Sequence, residues 1–239
     1  MKKNKMKELG IVEMKNFLSY DEKIEEKTNT FEKLMTIYDM AISELETKMN
    51  ILQKEFKVFY NYDLIDHINT RIKEPDSIVN KMKKKGYELT YKEMIENIND
   101  IAGIRIICQL KDDIFKIRDL IEEIPGIYIE KEKDYVNYPK ESGYSSYHMI
   151  VKVPVTLSKQ TIYVKVEIQI RTMAMDFWAS LEHKMKYKAD KEVNKKTSKE
   201  LVNYAKIVNR MDNKIMLKKK KKGDEWRNFG DRLNFPFFN

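Results

Sequence analysis

Two carboxylates, Asp100 and Glu167, stand in a chain crowded with lysine and arginine. Paired carboxylates in such company suit a Mg²⁺ ion that also takes phosphate oxygens. Glu167 lies in TIYVKVEIQI (161–170), where Ile162, Val164, Val166, Ile168 and Ile170 alternate with Thr161, Tyr163, Lys165, Glu167 and Gln169. A period of two with β-branched residues predicts a strand buried on one face, with Glu167, Gln169 and Arg171 on the open one. Asp100 opens the apolar run DIAGIRIICQL (100–110). Inside that strand it would face away from Arg105, so it is placed at the strand's entrance, with Gly103 permitting a local bend. The plainer readings are a solvated Glu167 and a turn-forming Asp100.

Two further groups bear on phosphate and base recognition. Arg71, Lys73, Ser77 and Lys81 place donors at the start of a helix and one turn along it. Such a set wraps a triphosphate with side chains and the helix N-terminus together, or is simply a solvated basic helix. No GxxxxGK[ST] occurs, so the segment is not a P-loop. Tyr144 sits between Gly143 and Ser145 in the loop YPKESGYSSYH (138–148), near Lys140 and His148. An aromatic beside cations either stacks on a base or packs down on the sheet. His148, without histidine or cysteine companions, reads as a hydrogen-bonding residue.

These residues need elements to position them. Phe31, Met35, Tyr38, Ile42, Leu45, Met49, Leu52, Phe56 and Phe59 form a seam of fours and threes. That seam predicts a long helix covering its own domain or a second subunit, with Asn29 as cap and Glu32 as its partner. Residues 1–27 are charged and are read as a short helix. An extended piece then leads through Pro75 into a basic helix closed by Gly86. A short helix (90–97), the strand at 100–110, a helix (112–123), a turn at Pro125-Gly126 and a strand (127–136) follow. After the 138–148 loop come the strand YHMIVKVPV and the 161–170 strand. Met173, Phe177, Leu181 and Met185, four apart, predict an amphipathic helix containing Trp178. Past a break near 189–195, Leu201, Tyr204, Val208, Met211 and Ile215 make a second seam. The tail changes composition at KKKKKGDEW, and is read either as disordered or as docked through Trp226, Phe235 and Phe237. Four strands with interspersed helices indicate an α+β domain clasped by terminal helices.

Composition sets the remaining limits. Of 239 residues, 46 are Lys or Arg and 38 are Asp or Glu, a net +8 that favours polyanionic partners. One cysteine allows no internal disulfide, which fits a reducing cytoplasm. Three histidines and that cysteine make a standard zinc site an unpromising expectation. No apolar run is long enough to span a bilayer, so no membrane association is expected.

RIKEPDSIVNK, DIAGIR, KESGYSSYH and VEIQIRTMAMDFWASLEHKMKYK, in that order and spacing, resemble the synthetase domain of small alarmone synthetases. These are the RelQ/RelP-type (p)ppGpp synthetases, related to the long Rel/SpoT enzymes. The resemblance implies an α+β fold with a nucleotidyltransferase-like mixed sheet flanked by helices, and helical N- and C-terminal extensions. It divides the chain into an extension (1–64), a catalytic domain (65–190), a C-terminal helix (191–222) and a tail (223–239). The implied reaction is Mg²⁺-dependent transfer of the ATP β,γ-pyrophosphate to the 3′-hydroxyl of GDP or GTP. Carried over by motif, Arg71 and Arg105 sandwich adenine, and Lys73, Ser77 and Lys81 hold the ATP phosphates. Asp100 and Glu167 bind Mg²⁺, with Glu167 also the general base. Tyr144 stacks on guanine beside His148 and Gln169, while Lys133 and Lys140 take the acceptor's phosphates. No His-Asp hydrolase motif is present, so a synthetase-only cytoplasmic enzyme is expected, assembled as a homo-oligomer, a tetramer as in the family. The alternative is a basic RNA-binding module without catalysis; RNA binding and catalysis can also coexist.

Overall fold

A computed structural model describes residues 11–13, 27–188 and 194–221. The 223–239 tail, with Trp226, Phe235 and Phe237, lies outside the described residues. The elements are β1 (Ile11–Glu13), α1 (Lys27–Phe59), β2 (His67–Ile72), α2 (Pro75–Lys85), α3 (Tyr91–Asn97) and β3 (Ala102–Cys108). They continue with α4 (Lys111–Glu123), β4 (Tyr128–Asp134), β5 (Tyr147–Thr156), β6 (Thr161–Thr172), α5 (Met173–Lys188) and α6 (Asn194–Lys221).

The strands form one mixed sheet in the order β2-β3-β6-β5-β4. β6 is its axis. One edge pairs antiparallel with β5 from Thr161 to Ile170. The other edge is shared, since β1 pairs parallel with Thr161–Tyr163 and β3 pairs parallel from Glu167 to Thr172. β1 corrects the expected helix over 1–27 at three of its residues, where Ile11 and Val12, both β-branched, fill the edge of β6 that β3 does not reach.

The even residues of β6, from Ile162 to Ile170, are fully buried. Against the same core pack Tyr38, Ile42, Leu45, Met49 and Phe56 of α1 and Ile114, Ile117 and Ile121 of α4. Leu34, Ile37 and Ala41 of α1 are buried as well. The buried stripe is therefore the broad face of a globular helix and not a narrow coiled-coil seam. Phe59, at the seam's end, is 70% exposed. α1 begins at Lys27, so Asn29 falls inside its first turn and not at the N-cap.

Short-range chemistry sets the other boundaries. Pro75 opens α2 at its first helical position. Gly86 closes it with φ 74°, its N–H on the Lys83 carbonyl and the Tyr87 N–H on that of Met82. Thr90 caps α3 by accepting from the Glu93 N–H at 3.2 Å.

α5 corrects the expected apolar seam. Met173 and Phe177 are exposed and Ala174, Met175 and Trp178 are buried, while the seam's Leu181 and Met185 do pack beside Trp178. The cause is α6, whose Leu201 carbonyl accepts from the Trp178 indole at 2.9 Å and whose Asp212 accepts from Thr172 Oγ1 at 2.7 Å. No helix among the described residues is long and apolar enough to cross a membrane.

Candidate active site

The open face of the sheet is ordered in rows across the strands. One row runs Arg71, Gly103, Glu167 across β2, β3 and β6. The next runs Asn69, Arg105, Gln169, His148, Lys133 across five strands. Register alone thus brings residues from four separate motifs onto one surface. Asn69, Thr70, Arg71, Gly103, Arg105, Glu167 and Gln169 line a cleft of about 110 Å³ there. Gly103 keeps regular pairing on both sides, so it supplies room between Arg71 and Glu167 and not the expected bend.

Glu167 is held at both oxygens. Gln169 Nε2 donates to Oε2 at 2.9 Å, and His148 Nδ1 lies 3.5 Å from Oε1. Burial works to raise its carboxyl, but His148 and Gln169 outweigh that and hold it below the ordinary glutamate range. The nearby charge of Asp100 pushes the other way.

From these two partners the bonds close into a ring. Arg171 Nη2 donates to Gln169 Oε1 at 2.8 Å and to the Tyr144 hydroxyl at 2.6 Å. That hydroxyl lies 2.8 Å from His148 Nε2. With Arg171 donating to this hydroxyl, its own O–H is free to donate to Nε2, the tautomer that puts the imidazole proton on Nδ1, facing Glu167. Arg171 itself is 4% exposed. Tyr144 is half-buried, its ring edge-on to Tyr135 and His148. Lys140 Nζ lies 4.8 Å from its centroid.

The loop carrying Tyr144 is fixed from behind. Gly143 has φ 89°, and a Cβ there would come within 2.4 Å of the Ala205 Cβ on α6. Only glycine meets both conditions.

Asp100 precedes β3, as expected. Its Oδ2 lies 3.1 Å from Lys73 Nζ and its Oδ1 2.8 Å from Lys81 Nζ. Burial works to raise its carboxyl, and the two ammoniums outweigh it, so it titrates below the usual aspartate range. At the buried Oδ1, Lys81 is the one close partner, and no other group among the described residues hydrogen-bonds to it. Arg105 Nη1 pairs with Asp176 Oδ1 at 3.1 Å. Burial and the nearby Arg171 pull its guanidinium pKa down, against Asp176. Arg71 and Ser77 are exposed at the margin, and so are Lys133 and Lys140 on the other side.

The description "Region found in RelA / SpoT proteins" matches residues 70–192. The chain is 44% identical over 182 residues to the GTP pyrophosphokinase YwaC of Bacillus subtilis, covering 76% of this chain and 87% of YwaC. The chain belongs to the RelA/SpoT family. To the GTP pyrophosphokinase YjbM of the same organism it is 32% identical, covering 77% of this chain and 86% of YjbM. The crystal structure of small alarmone synthetase 1 from Bacillus subtilis, bound to its product pppGpp, superposes with a TM-score of 0.74 at 30% identity. That match covers 82% of this chain and all of the other, 100%.

The RelA/SpoT region contains every site residue predicted from the sequence. It also contains two that sequence reasoning left out of the site. Arg171 continues the alternation of Glu167 and Gln169, and that signal was available. Asp176 was not visible, because the assumed seam of α5 pointed attention at Met173 and Phe177. The RNA-binding alternative gains no support, since these relatives and neighbours are GTP pyrophosphokinases and an alarmone synthetase.

Proposed function

We propose that this enzyme transfers the β,γ-pyrophosphate of ATP to the 3′-hydroxyl of GDP or GTP, releasing AMP and forming (p)ppGpp. The observation that carries the reading is Glu167, a half-buried carboxylate held below the ordinary glutamate range between a cationic donor side and an aromatic acceptor loop on one sheet face. Transfer between two polyanions needs charge neutralisation, in-line positioning and a base for one hydroxyl. In this reading Arg71 and Arg105 hold adenine, while Lys73, Ser77 and Lys81 hold the triphosphate. Tyr144, His148 and Gln169 receive guanine, and Lys133 and Lys140 receive the acceptor's phosphates. Glu167 takes the 3′-hydroxyl proton, and the Nδ1–H of His148 orients the carboxylate for it.

Mg²⁺ fits the residues present. Asp100 and Glu167 are hard oxygen donors close enough for their charges to interact, and Asp100 Oδ1 has unused bonding capacity. No cluster of three or more candidate ligands occurs among the described residues, which suits an ion completing its shell with phosphate oxygens and water. When bound, Mg²⁺ supplies charge neutralisation and polarisation of the transferred group.

We also infer a cytoplasmic homo-oligomer, a tetramer, built through α6. Its Tyr204, Ile207, Met211 and Ile215 are all exposed on the described chain, whereas the α1 seam, Phe59 apart, packs against its own core. The activity is tested by incubating the full chain with Mg²⁺, γ-labelled ATP and GMP, GDP or GTP in turn. Label should move to a guanine nucleotide; none moving to any of the three would overturn the reading.

A further inference from the structure

Asp176 belongs to neither nucleotide set, yet one of its oxygens touches both. Its Oδ1 lies 3.1 Å from Arg105 Nη1 and 3.0 Å from Arg171 Nη1. Arg105 stands on the adenine side. Arg171 stands on the acceptor side, where its Nη2 holds both the Tyr144 hydroxyl and the Gln169 carbonyl.

The backbone at Asp176 is firmly set. It lies in the first turn of α5, directly after β6, where Thr172 Oγ1 accepts from the Met175 N–H at 3.1 Å. Two residues on, Trp178 is 2% exposed and bonded to α6. Arg105 is held far less firmly. Its Nε is buried without a partner, and Asp176 supplies its one ion pair among the described residues. Without that carboxylate, Arg105 would face Arg171 as a like charge and lose the contact that sets its direction.

We infer that Asp176 is a positioning residue that couples the two nucleotide halves, so that filling either strengthens binding at the other. A guanine nucleotide on Tyr144 and Gln169 restrains Arg171. Arg171 then restrains Asp176, and Asp176 fixes the guanidinium that meets adenine. Coupling of this kind is reciprocal: each nucleotide must raise the other's affinity by one common factor. The inference rests on the proposed function for which nucleotide fills which half.

The test is calorimetric titration of the full chain with α,β-methylene-ATP, with and without saturating GDP, and the reverse. Wild type should bind each about 5-fold or more tightly in the presence of the other, by the same factor. Asp176→Asn, which keeps the shape and removes the charge, should melt as wild type does while that factor falls to within about 2-fold of unity. Arg171→Lys keeps a charge but loses the fork that reaches Asp176, Tyr144 and Gln169 together, and should lose the factor likewise. Asp176→Glu should recover part of it. A wild-type factor of one overturns the inference. So does a factor retained in Asp176→Asn, or a variant in which melting and both separate affinities fall while the factor stays. Absence of product formation by wild type would sink the functional reading, which these binding measurements do not depend on.

Discussion

In the acceptor half of the cleft, Arg171, Tyr144, His148, Glu167 and Gln169 bond side chain to side chain in a closed ring, seated on a loop pinned by α6. The donor half is looser. Lys73 and Lys81 rest on Asp100, Arg105 rests on Asp176, and Arg71 and Ser77 are exposed. A closed network leaves less ordering to be done on binding than separate ion pairs do, and what is left at Arg171 passes on to Asp176. On the proposed function, selectivity and base orientation belong to the acceptor half, and charge neutralisation to the donor half.

The largest expected effect separates the halves outright. Glu167→Gln removes the proposed base but leaves Arg71, Lys73 and Arg105 in place. Turnover should fall by at least about 10²-fold, the scale of general-base assistance. ATP binding should survive, because Arg71, Lys73 and Arg105 remain, and the fold should stay intact, because Glu167 lies on the open face, opposite the aliphatic core. Retention of more than about a tenth of turnover would make it a bystander.

Tyr144→Ala probes the acceptor half alone. KM for the guanine nucleotide should rise by the equivalent of about 1–3 kcal/mol, with a much smaller change for ATP. Equal weakening toward both nucleotides would mean that the ring serves only to support the sheet. Gly143→Ala attacks the same loop from behind: a Cβ at φ 89° and 2.4 Å from Ala205 leaves nowhere to go. It should cost about 1–3 kcal/mol of stability, read as a lower melting temperature, and should weaken the acceptor before ATP. An unchanged melting temperature would show the α6 contact to be slack.

The smallest effect is a pH dependence in the donor half. The Asp100 carboxyl is depressed in the folded chain, so its ion pairs contribute stability above the ordinary unfolded value of about 3.9. That contribution is lost as pH falls through the folded value. The melting difference between wild type and Asp100→Asn should therefore be greatest near neutrality and shrink in acid. A difference independent of pH would contradict the assignment.

Much of this was legible in the sequence because β6 states its own geometry. Ten residues of strict alternation fix which side chains share a face, and Glu167, Gln169 and Arg171 follow. Cross-strand rows are a different matter. That Arg105 sits beside Gln169 depends on parallel pairing between segments more than sixty residues apart, which no local pattern encodes. β1 is too short to show a period. On α5, spacing of four is satisfied by more than one face, and the choice is made by Trp178 and Thr172 meeting α6. Misreading that face is what hid Asp176. The ring around Glu167 was likewise out of reach: each member has an ordinary local role, and only the folded sheet brings them together.

The most direct measurement follows the phosphorus atoms. The full chain is incubated with Mg²⁺, GDP and ATP labelled in its β-phosphate, and the label is located among the products. The expected result is unlabelled AMP in equal amount to a guanine nucleotide that carries the β-label at its 3′ position. Label recovered in ADP would mean single phosphoryl transfer. Label recovered in free pyrophosphate, whether or not GDP is present, would mean hydrolysis, and either result would contradict the account.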